Sequence, residues 1–313
     1  MNSPIGFAVV PTMVLAAVWL VPPAGAQETQ SITVVSWGGS YARASVKAFH
    51  ERFEAETGIR IDLEEYSGGL AQIRAQVETG NVSWDVMDME AGDLLLGCDE
   101  GLLEEVDLST LPSAPDGTPA EEDFNATYAL DCGVQSLDYA TVVAYNRERL
   151  TGPAPATMAD FFDLERFPGR RGLRRSPLGN MEFALVADGE VIMSTAFNGR
   201  IFNAQALENQ PLEIVWDGQV QAAGYQAIVA GTPRLETARR FVAFATSTQS
   251  LANLTGYISY APLRRSSQAL VGTHLETGIE MAPHLPSWPA NLARAVIEDP
   301  EWWAGKAVNS SRI

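Results

Sequence analysis

The sequence predicts an α/β protein with two lobes, on three observations. Apolar runs of strand length alternate with segments of helical periodicity in the first part of the chain, as in a parallel sheet with crossover helices. A Pro-punctuated stretch begins soon after Asn146 and marks the start of a second unit. Later apolar runs predict a strand and a helix that return to the first unit. A chain that leaves one unit and returns to it builds two lobes joined by several strands.

Residues 1–26 are predicted to be a secretory signal peptide. An uncharged apolar run from Ile5 to Val21 leads into Ala24-Gly25-Ala26, a cleavage site of the A-x-A type. The usual basic region is missing, because no Lys or Arg occurs before Arg43. A membrane anchor is the competing interpretation, but the run is short for a bilayer span and contains Pro11. We therefore expect export to the periplasm.

The first strand and helix meet at Ser36-Trp37-Gly38-Gly39-Ser40-Tyr41. The apolar run Ile32–Val35 predicts the strand, and we expect Ser40 to be the N-cap of the helix. The helix should end before Gly58, which suits a C′ position. Apolar residues recur in it at spacings of three and four: Val46, Phe49 and Phe53. The two glycines serve the turn, or they leave room for a ligand between Trp37 and Tyr41.

Two further strands follow, separated by a helix. Alternation of apolar and polar residues predicts a strand at Ile59–Leu63. The spacing of Leu70, Ile73 and Val77 predicts a helix that stops at Gly80. The run from Val82 to about Met87 predicts the third strand. In a parallel sheet all three strands end at one edge, where open α/β sheets bind ligands. That edge should carry Trp37 and Tyr41 together with three acidic residues: Asp88, Glu90 and Asp93.

The remaining elements divide the chain into three parts. A first lobe is predicted for residues 27–145, a second for 146–224, and a return with a C-terminal segment for 225–313. In the second part, we expect a short helix at Met181–Ala187 and strands at Glu190–Thr195 and Leu212–Gln219. In the return, Gly224–Pro233 predicts a strand and Leu235–Ser247 a helix with two aromatic residues on one face: Phe241 and Phe244.

Charge and composition exclude several functions. The chain has 39 acidic and 21 basic residues and a net charge of −18, which repels nucleic acid and attracts cations. The three histidines are His50, His274 and His284, and "HERFE" at His50 lacks the second histidine of a helical zinc motif. There is no G-x-S-x-G elbow and no phosphate-binding loop. We therefore expect neither an enzyme, nor a metal site, nor a cofactor.

Cys98 and Cys132 are the only cysteines. In an exported protein an even number of cysteines favours a disulfide, and two buried free thiols are the alternative. Two cysteines alone do not specify a metal site.

A family resemblance rests on five segments: "ITVVSWGGSYARASVKAFHERFEAETGIRI", "WDVMDMEAGDLLLGCDEGLLEEVD", "CGVQSLDYATVVAYNRERL", "FPGRRGLRRSP" and "STAFNGRIFNA". Together these segments resemble the extracellular solute-binding proteins of ABC importers, and within them the spermidine/putrescine-binding branch. The resemblance implies a type II periplasmic binding fold, α/β with two lobes that close on a solute in the cleft between them. It further implies a monomer that delivers its solute, here a small polyamine-like cation such as putrescine or spermidine, to an inner-membrane ABC permease.

The resemblance also implies a set of ligand-binding residues. In polyamine binders, aromatic rings enclose the methylene chain and carboxylates pair with the ammonium groups, since a buried cation needs compensating charge. The residues that match these roles or positions are Trp37, Tyr41, Glu90, Asp93, Gln135, Asn198, Asp217 and Tyr225.

Two departures from the branch leave alternatives open. Ala222, Ala223 and Gly224 stand where relatives offer acidic and aromatic residues, so the solute could be an amino-acid derivative or an anion with Arg200 or Arg43 as its partner. The chain could also be the ligand-binding partner of a sensor, or a decayed paralogue. In addition, Asp188-Gly189 runs directly into Glu190 where relatives carry another helix and strand. We therefore expect an internal deletion that leaves the second lobe incomplete and weakens binding.

Overall fold

The computed structural model describes residues 30–125, 127, 129–172 and 191–302. The predicted signal peptide, the predicted helix Met181–Ala187 and the predicted junction at Gly189 lie outside these residues.

The described residues form one nine-stranded mixed sheet with the order β2-β1-β3-β7-β4-β6-β5. Two short strands lie off this path, β8 beside β4 and β9 beside β7. The strands are β1 Ser31–Ser36, β2 Arg60–Glu65, β3 Val86–Glu90, β4 Val134–Asn146, β5 Arg171–Gly172, β6 Met193–Phe197, β7 Leu212–Ile228, β8 Ala261–Pro262 and β9 Val296–Ile297.

Helices cover both faces of this sheet. They are α1 Gly39–Ser45, α2 Glu51–Thr57, α3 Ala71–Thr79, α4 Ala91–Asp99, α5 Ala120–Asp123, α6 Met158–Phe162, α7 Asn198–Glu208, α8 Leu235–Ala245, α9 Thr248–Thr255 and α10 Arg265–Gln268. A π-helical segment, Val46–His50, joins α1 to α2. Short 3-10 turns lie at Leu108–Thr110 and Ala282–His284. No helix in the described part of the chain is both long and apolar enough to cross a membrane.

The predicted βαβαβ unit is confirmed, because β1 pairs in parallel with both β2 and β3. The helix between β1 and β2 ends at Gly58 in the left-handed conformation, as predicted. Its predicted N-cap is wrong: the helix begins at Gly39 and Gly38 occupies the cap, with no side-chain cap bond. Gly38 and Gly39 have φ of 67° and 61°, which favour glycine, so the helix begins two residues earlier than expected.

The third strand begins four residues later than predicted, at Val86. The side chain of Gln76 explains this, because its Oε1 accepts from the backbone N–H groups of Ser83 and Trp84 and holds that stretch out of the sheet. As a result Asp88 and Glu90 lie within β3, and Asp93 lies in the first turn of α4.

The strands predicted at Leu212–Gln219 and Gly224–Pro233 are in fact one strand, β7. It runs antiparallel to β4, and their register shifts where Trp216–Gln219 lies opposite the single residue Val142. Gly218 has φ of 72°, which permits this bulge. The predicted break, residues 220–223, instead pairs in regular register with β4, so the strand is continuous there. Both long strands extend along the cores of the two lobes and connect them.

Four apolar clusters correspond to the two lobes. In the first lobe, one cluster holds Phe49, Phe53 and Phe241 with α8 on one face of the sheet, and a second holds Ile73 and Leu94 on the other face. Two smaller clusters cover the β4–β7–β6 part. The helix α8 is confirmed, with Phe241 buried and Phe244 packed against the same cluster. The mixed α/β, two-lobed class is therefore confirmed, whereas the residue boundaries of the lobes stay predictions.

Candidate functional site

A cavity lies where the carboxyl ends of β1 and β3 meet the crossing strands β4 and β7. It encloses about 410 Å³ of space, part of which is open to solvent. We call it the cleft cavity, and its lining residues are Trp37, Tyr41, Asp88, Met89, Glu90, Leu137, Tyr139, Phe197, Arg200, Gly224, Tyr225 and Tyr260.

Aromatic side chains form much of its wall. Trp37 stacks on Tyr66, with ring centroids 4.7 Å apart. Tyr139 meets Phe197 edge to face at 5.0 Å, and Tyr260 lies between Tyr139 and Tyr41. Such rings contact methylene groups well and attract a cation to their faces. The wall therefore suits a solute with a short hydrocarbon chain and a positive charge.

A buried carboxylate forms part of the floor. The hydroxyl of Tyr41 donates to Oδ1 of Asp88 over 2.9 Å, and the hydroxyl of Tyr66 donates to the backbone carbonyl of Asp88. Burial raises the pKa of Asp88 to about 6, and the bond from Tyr41 opposes this rise. Burial raises the pKa of Tyr41 well above its usual value, and the negative charge of Asp88 raises it further, so this hydroxyl stays protonated.

The cavity contains both signs of charge. Glu90 is partly exposed at the end of β3, and Arg200 projects from the first turn of α7 with only 7% of its surface exposed. One guanidinium nitrogen of Arg200 lies 3.5 Å from the carbonyl oxygen of Trp37, and the group lies 5.9 Å from the ring centroid of Phe197. A cavity with a cation on one element and carboxylates on another can hold a solute that carries both charges.

Four of the eight predicted ligand-binding residues line this cavity: Trp37, Tyr41, Glu90 and Tyr225. They come from the β1–α1 turn, α1, β3 and β7, which the sheet order brings together. Their contact with a solute stays a prediction. Of the two arginines considered for an anionic solute, Arg200 lines the cavity, whereas Arg43 is exposed on α1 and is not among the lining residues.

The structure places the other four predicted residues outside the cavity wall. Asp93 accepts a bond of 2.8 Å from the backbone N–H of Gly69, and Asp217 accepts from the N–H of Met158 while pairing with Arg294 at 3.2 Å. Because these hydrogen bonds and the ion pair already satisfy the carboxylate oxygens, the two residues hold loops in place and do not need a solute.

The two amides are likewise used by the fold. Asn198 is fully buried, its Oδ1 accepts from the N–H of Ala140, and its Nδ2 donates to the carbonyl of Ser259. Gln135 donates to the carbonyl of Asn125 over 2.9 Å. Both amides tie a strand or helix to a neighbouring segment.

Several lining residues were not predicted as site residues. Asp88 was expected at this edge of the sheet. Leu137 and Tyr139 are two residues apart on β4, so the two-residue period of a strand could have placed both side chains on one face. Nothing in the local sequence pointed to Phe197 or Tyr260, because tertiary packing alone brings them to the cavity.

The structure joins Cys98 and Cys132 in a disulfide, as predicted. The bond connects the last turn of α4 to the residues just before β4. The described residues hold no group of three or more His, Cys, Asp or Glu side chains arranged to bind a metal ion.

Comparison with known proteins identifies the family. A model of the bacterial extracellular solute-binding proteins matches residues 48–190 and 184–287. The γ-aminobutyric acid-binding protein of Pseudomonas aeruginosa is 33% identical over 322 residues, covering 88% of this chain and 87% of that protein.

Two solved structures are similar over most of both chains. An ABC transporter substrate-binding protein from Bradyrhizobium japonicum aligns with a TM-score of 0.76 at 28% identity, covering 90% of this chain and 98% of that one. The binding protein AgtB of Agrobacterium tumefaciens, in complex with agropinic acid, aligns with a TM-score of 0.74 at 25% identity, covering 90% and 96%. Two of these three proteins are named for a ligand or hold one, γ-aminobutyric acid and agropinic acid respectively, so the polyamine branch is not confirmed. The chain belongs to the family of bacterial extracellular solute-binding proteins, which serve ABC transporters.

Proposed function

We propose that the cleft cavity binds a small zwitterionic amino acid, of the γ-aminobutyric acid class, and that the protein delivers it to an inner-membrane ABC permease. The observation that carries this proposal is the presence of Arg200 in the same aromatic cavity as Asp88 and Glu90. The solute carboxylate would pair with Arg200, and the ammonium group would lie near the two acidic side chains. The aromatic rings would contact the methylene groups between them.

The physical argument against a polyamine is the cost of like charges. A diammonium solute would bring a second cation close to a guanidinium that is 93% buried, where charges are poorly screened. A zwitterion instead meets a complementary charge at each end, and buried charges need such partners. The γ-aminobutyric acid-binding relative, at 33% identity, supports the same solute class.

The test is isothermal titration with three four-carbon solutes: γ-aminobutyrate, putrescine and butyrate. These solutes are similar in length and differ mainly in the charge of their end groups, so their relative affinities report chiefly on charge. We expect γ-aminobutyrate to bind most tightly and Arg200→Gln to weaken it by at least ~30-fold, about 2 kcal/mol. The matched control is Arg43→Gln, which removes the same charge from an exposed position and should leave the affinity unchanged. Tighter binding of putrescine than of γ-aminobutyrate would overturn the proposal.

A small polyamine is the second candidate. Its support is the buried carboxylate of Asp88, the neighbouring Glu90, the aromatic wall and the net charge of −18. Under this alternative, Arg200→Gln would strengthen putrescine binding, because it removes a repulsive charge. No binding of any of the three solutes would favour a different solute or a decayed paralogue.

A further inference from the structure

A second cavity lies on the opposite side of the strands that form the cleft. It encloses about 570 Å³ of space, part of it open to solvent. We call it the rear cavity, and its lining residues among those described are Asn125, Thr127, Asp138, Gln221, Ala261, Pro262, Leu263, Gln268, Ser287, Leu292 and Ile297.

Asp138 reaches this cavity because side chains alternate along β4. Leu137 and Tyr139 line the cleft cavity, so the residue between them points to the other face of the sheet. Its directly paired neighbours on β7 and β8 are Ala223 and Ala261, whose small side chains leave space beside the carboxyl group.

The carboxyl group of Asp138 is buried without full compensation. The residue is 5% exposed, and Oδ1 has no hydrogen-bond partner within the described part of the chain. Burial raises its pKa to about 8. Among the described lining residues no other side chain is titratable, so no lysine, arginine or histidine of the wall compensates this carboxylate.

Two amides of the wall donate to backbone carbonyl groups. Gln221 donates to the carbonyl of Pro286 over 2.9 Å, and Gln268 donates to the carbonyl of Pro262 over 3.2 Å. Both amides thus direct N–H groups to the backbone and keep oxygen atoms for another partner. Leu263, Leu292 and Ile297 provide an apolar surface beside them.

We propose that the rear cavity is a second binding site, which takes a small primary alkylammonium ion with the Asp138 carboxylate as its counter-ion. The ammonium group would donate to the carboxylate from the cavity side, and the hydrocarbon part would contact the apolar side chains. A metal ion fits less well, since the wall offers one carboxylate and no histidine or cysteine. An anion would meet a carboxylate and no cation.

Binding should release a proton. In the empty cavity at pH 7 the raised pKa keeps most of Asp138 protonated. An ammonium ion stabilises the ionised form, so the carboxyl O–H bond breaks and the proton passes to the buffer. Titration in buffers of different ionisation enthalpy measures this release directly.

The experiment is a titration of the whole protein with n-butylammonium chloride, followed by NMR of methyl groups. We expect saturable shifts at Leu263, Leu292 and Ile297, release of a proton, and at least tenfold weaker binding in Asp138→Asn. The control Glu90→Gln alters the cleft cavity and should leave these shifts unchanged. Neutral n-butanol, of matched size, should not produce them.

A second variant keeps the proposal testable if Asp138→Asn does not fold. Ile297 is 51% exposed, so Ile297→Trp can fill the mouth of the rear cavity without disturbing the core. We expect it to abolish the shifts at Leu263 and Leu292. The proposal is overturned if these residues show no saturable shift, if n-butanol binds equally well, or if each folded variant binds as the parent does.

Discussion

At the scale of single residues, Trp37 shows how one side chain can serve both the core and the site. It packs against the two apolar clusters on either face of the first-lobe sheet, and it also lines the cleft cavity. Glu90, by contrast, is partly exposed at the end of β3 and belongs to neither cluster. The two residues therefore differ in what their removal should change.

We expect Trp37→Ala to weaken solute binding by roughly 1 to 3 kcal/mol through lost stacking. It should also lower the free energy of unfolding by about 1 to 3 kcal/mol, less than for a fully buried tryptophan. Glu90→Ala should weaken binding by a similar amount and leave the unfolding free energy almost unchanged, because the loss is a charge partner rather than packing. Titration calorimetry and urea unfolding measure the two effects. Equal stability losses in both variants would contradict this division.

Asp138 predicts a dependence of stability on pH. Its folded pKa of about 8 lies above the unfolded value, so the folded protein holds an extra proton between about pH 4 and pH 8. The free energy of unfolding should therefore fall as pH rises through that window, by at most about 1.4 kcal/mol per pH unit from this group. Asp138→Asn does not titrate and should lack this loss. Urea unfolding at pH 5 and pH 8 compares the two proteins, and parallel pH profiles would refute the prediction.

At the scale of elements, the site depends on how neighbouring segments are held. The disulfide ties α4 to the start of β4, and α4 itself follows β3 and the acidic edge of the cleft cavity. Gly199 in α7 shows the same dependence: a Cβ there would lie 2.5 Å from a ring carbon of Tyr260. Only glycine lets this helix approach the tyrosine so closely, and that approach positions Arg200 one residue later.

We expect removal of the disulfide, by Cys98→Ser together with Cys132→Ser, to lower the free energy of unfolding by about 3 to 4 kcal/mol. The reason is the loop that the bond closes: the cysteines are 34 residues apart, and the open chain gains entropy when unfolded. Urea unfolding of the double variant and the parent measures the difference. Two free thiols in the denatured, unreduced parent would show that the bond does not form.

At the scale of the whole molecule, the two lobes are joined by β4 and β7, and both cavities use these strands. The cleft cavity lies on one side of them and the rear cavity on the other.

The structure also bears on whether the second lobe is complete. Its outermost described strand in the sheet order is β5, which has only two residues, Arg171–Gly172.

An internal deletion near Gly189 stays our prediction, and two features of the comparisons support it. The family model matches in two segments that meet at residues 184–190. The alignment with the γ-aminobutyric acid-binding protein spans 322 positions but 88% of this 313-residue chain, about 275 residues, so about 47 positions have no counterpart here.

If a helix and strand are missing, the cleft should close poorly and the solute should bind weakly. Inserting the relative's segment between Gly189 and Glu190 should then raise the affinity for γ-aminobutyrate and the melting temperature together, because it restores apolar burial in the second lobe. The matched reference is the relative itself, titrated under the same conditions. Equal affinity of this chain and the relative would refute a functional lesion.

The sequence by itself determined the α/β class, the βαβαβ start and the helix ends at Gly58 and Gly80, and it favoured a bond between Cys98 and Cys132 over two free thiols. The class, the βαβαβ start and the helix ends depend on local periodicity and on glycine conformation, whereas the disulfide also needs the fold to bring the two cysteines together. The sequence also indicated four residues of the cleft wall, because the carboxyl ends of parallel strands must meet at one edge.

Only the tertiary structure decided how distant segments meet. It showed that β7 continues through a bulge, and that Asn198 and Asp217 satisfy backbone groups rather than line the cleft cavity. It also brought Phe197, Arg200 and Tyr260 to the cavity wall and placed Asp138 on the opposite face. Sequence periodicity predicts which face of an element a residue occupies, but the partner of that face depends on contacts between segments far apart in the chain. Hydrogen-bond partners and buried charges are set by those contacts, and so is the site.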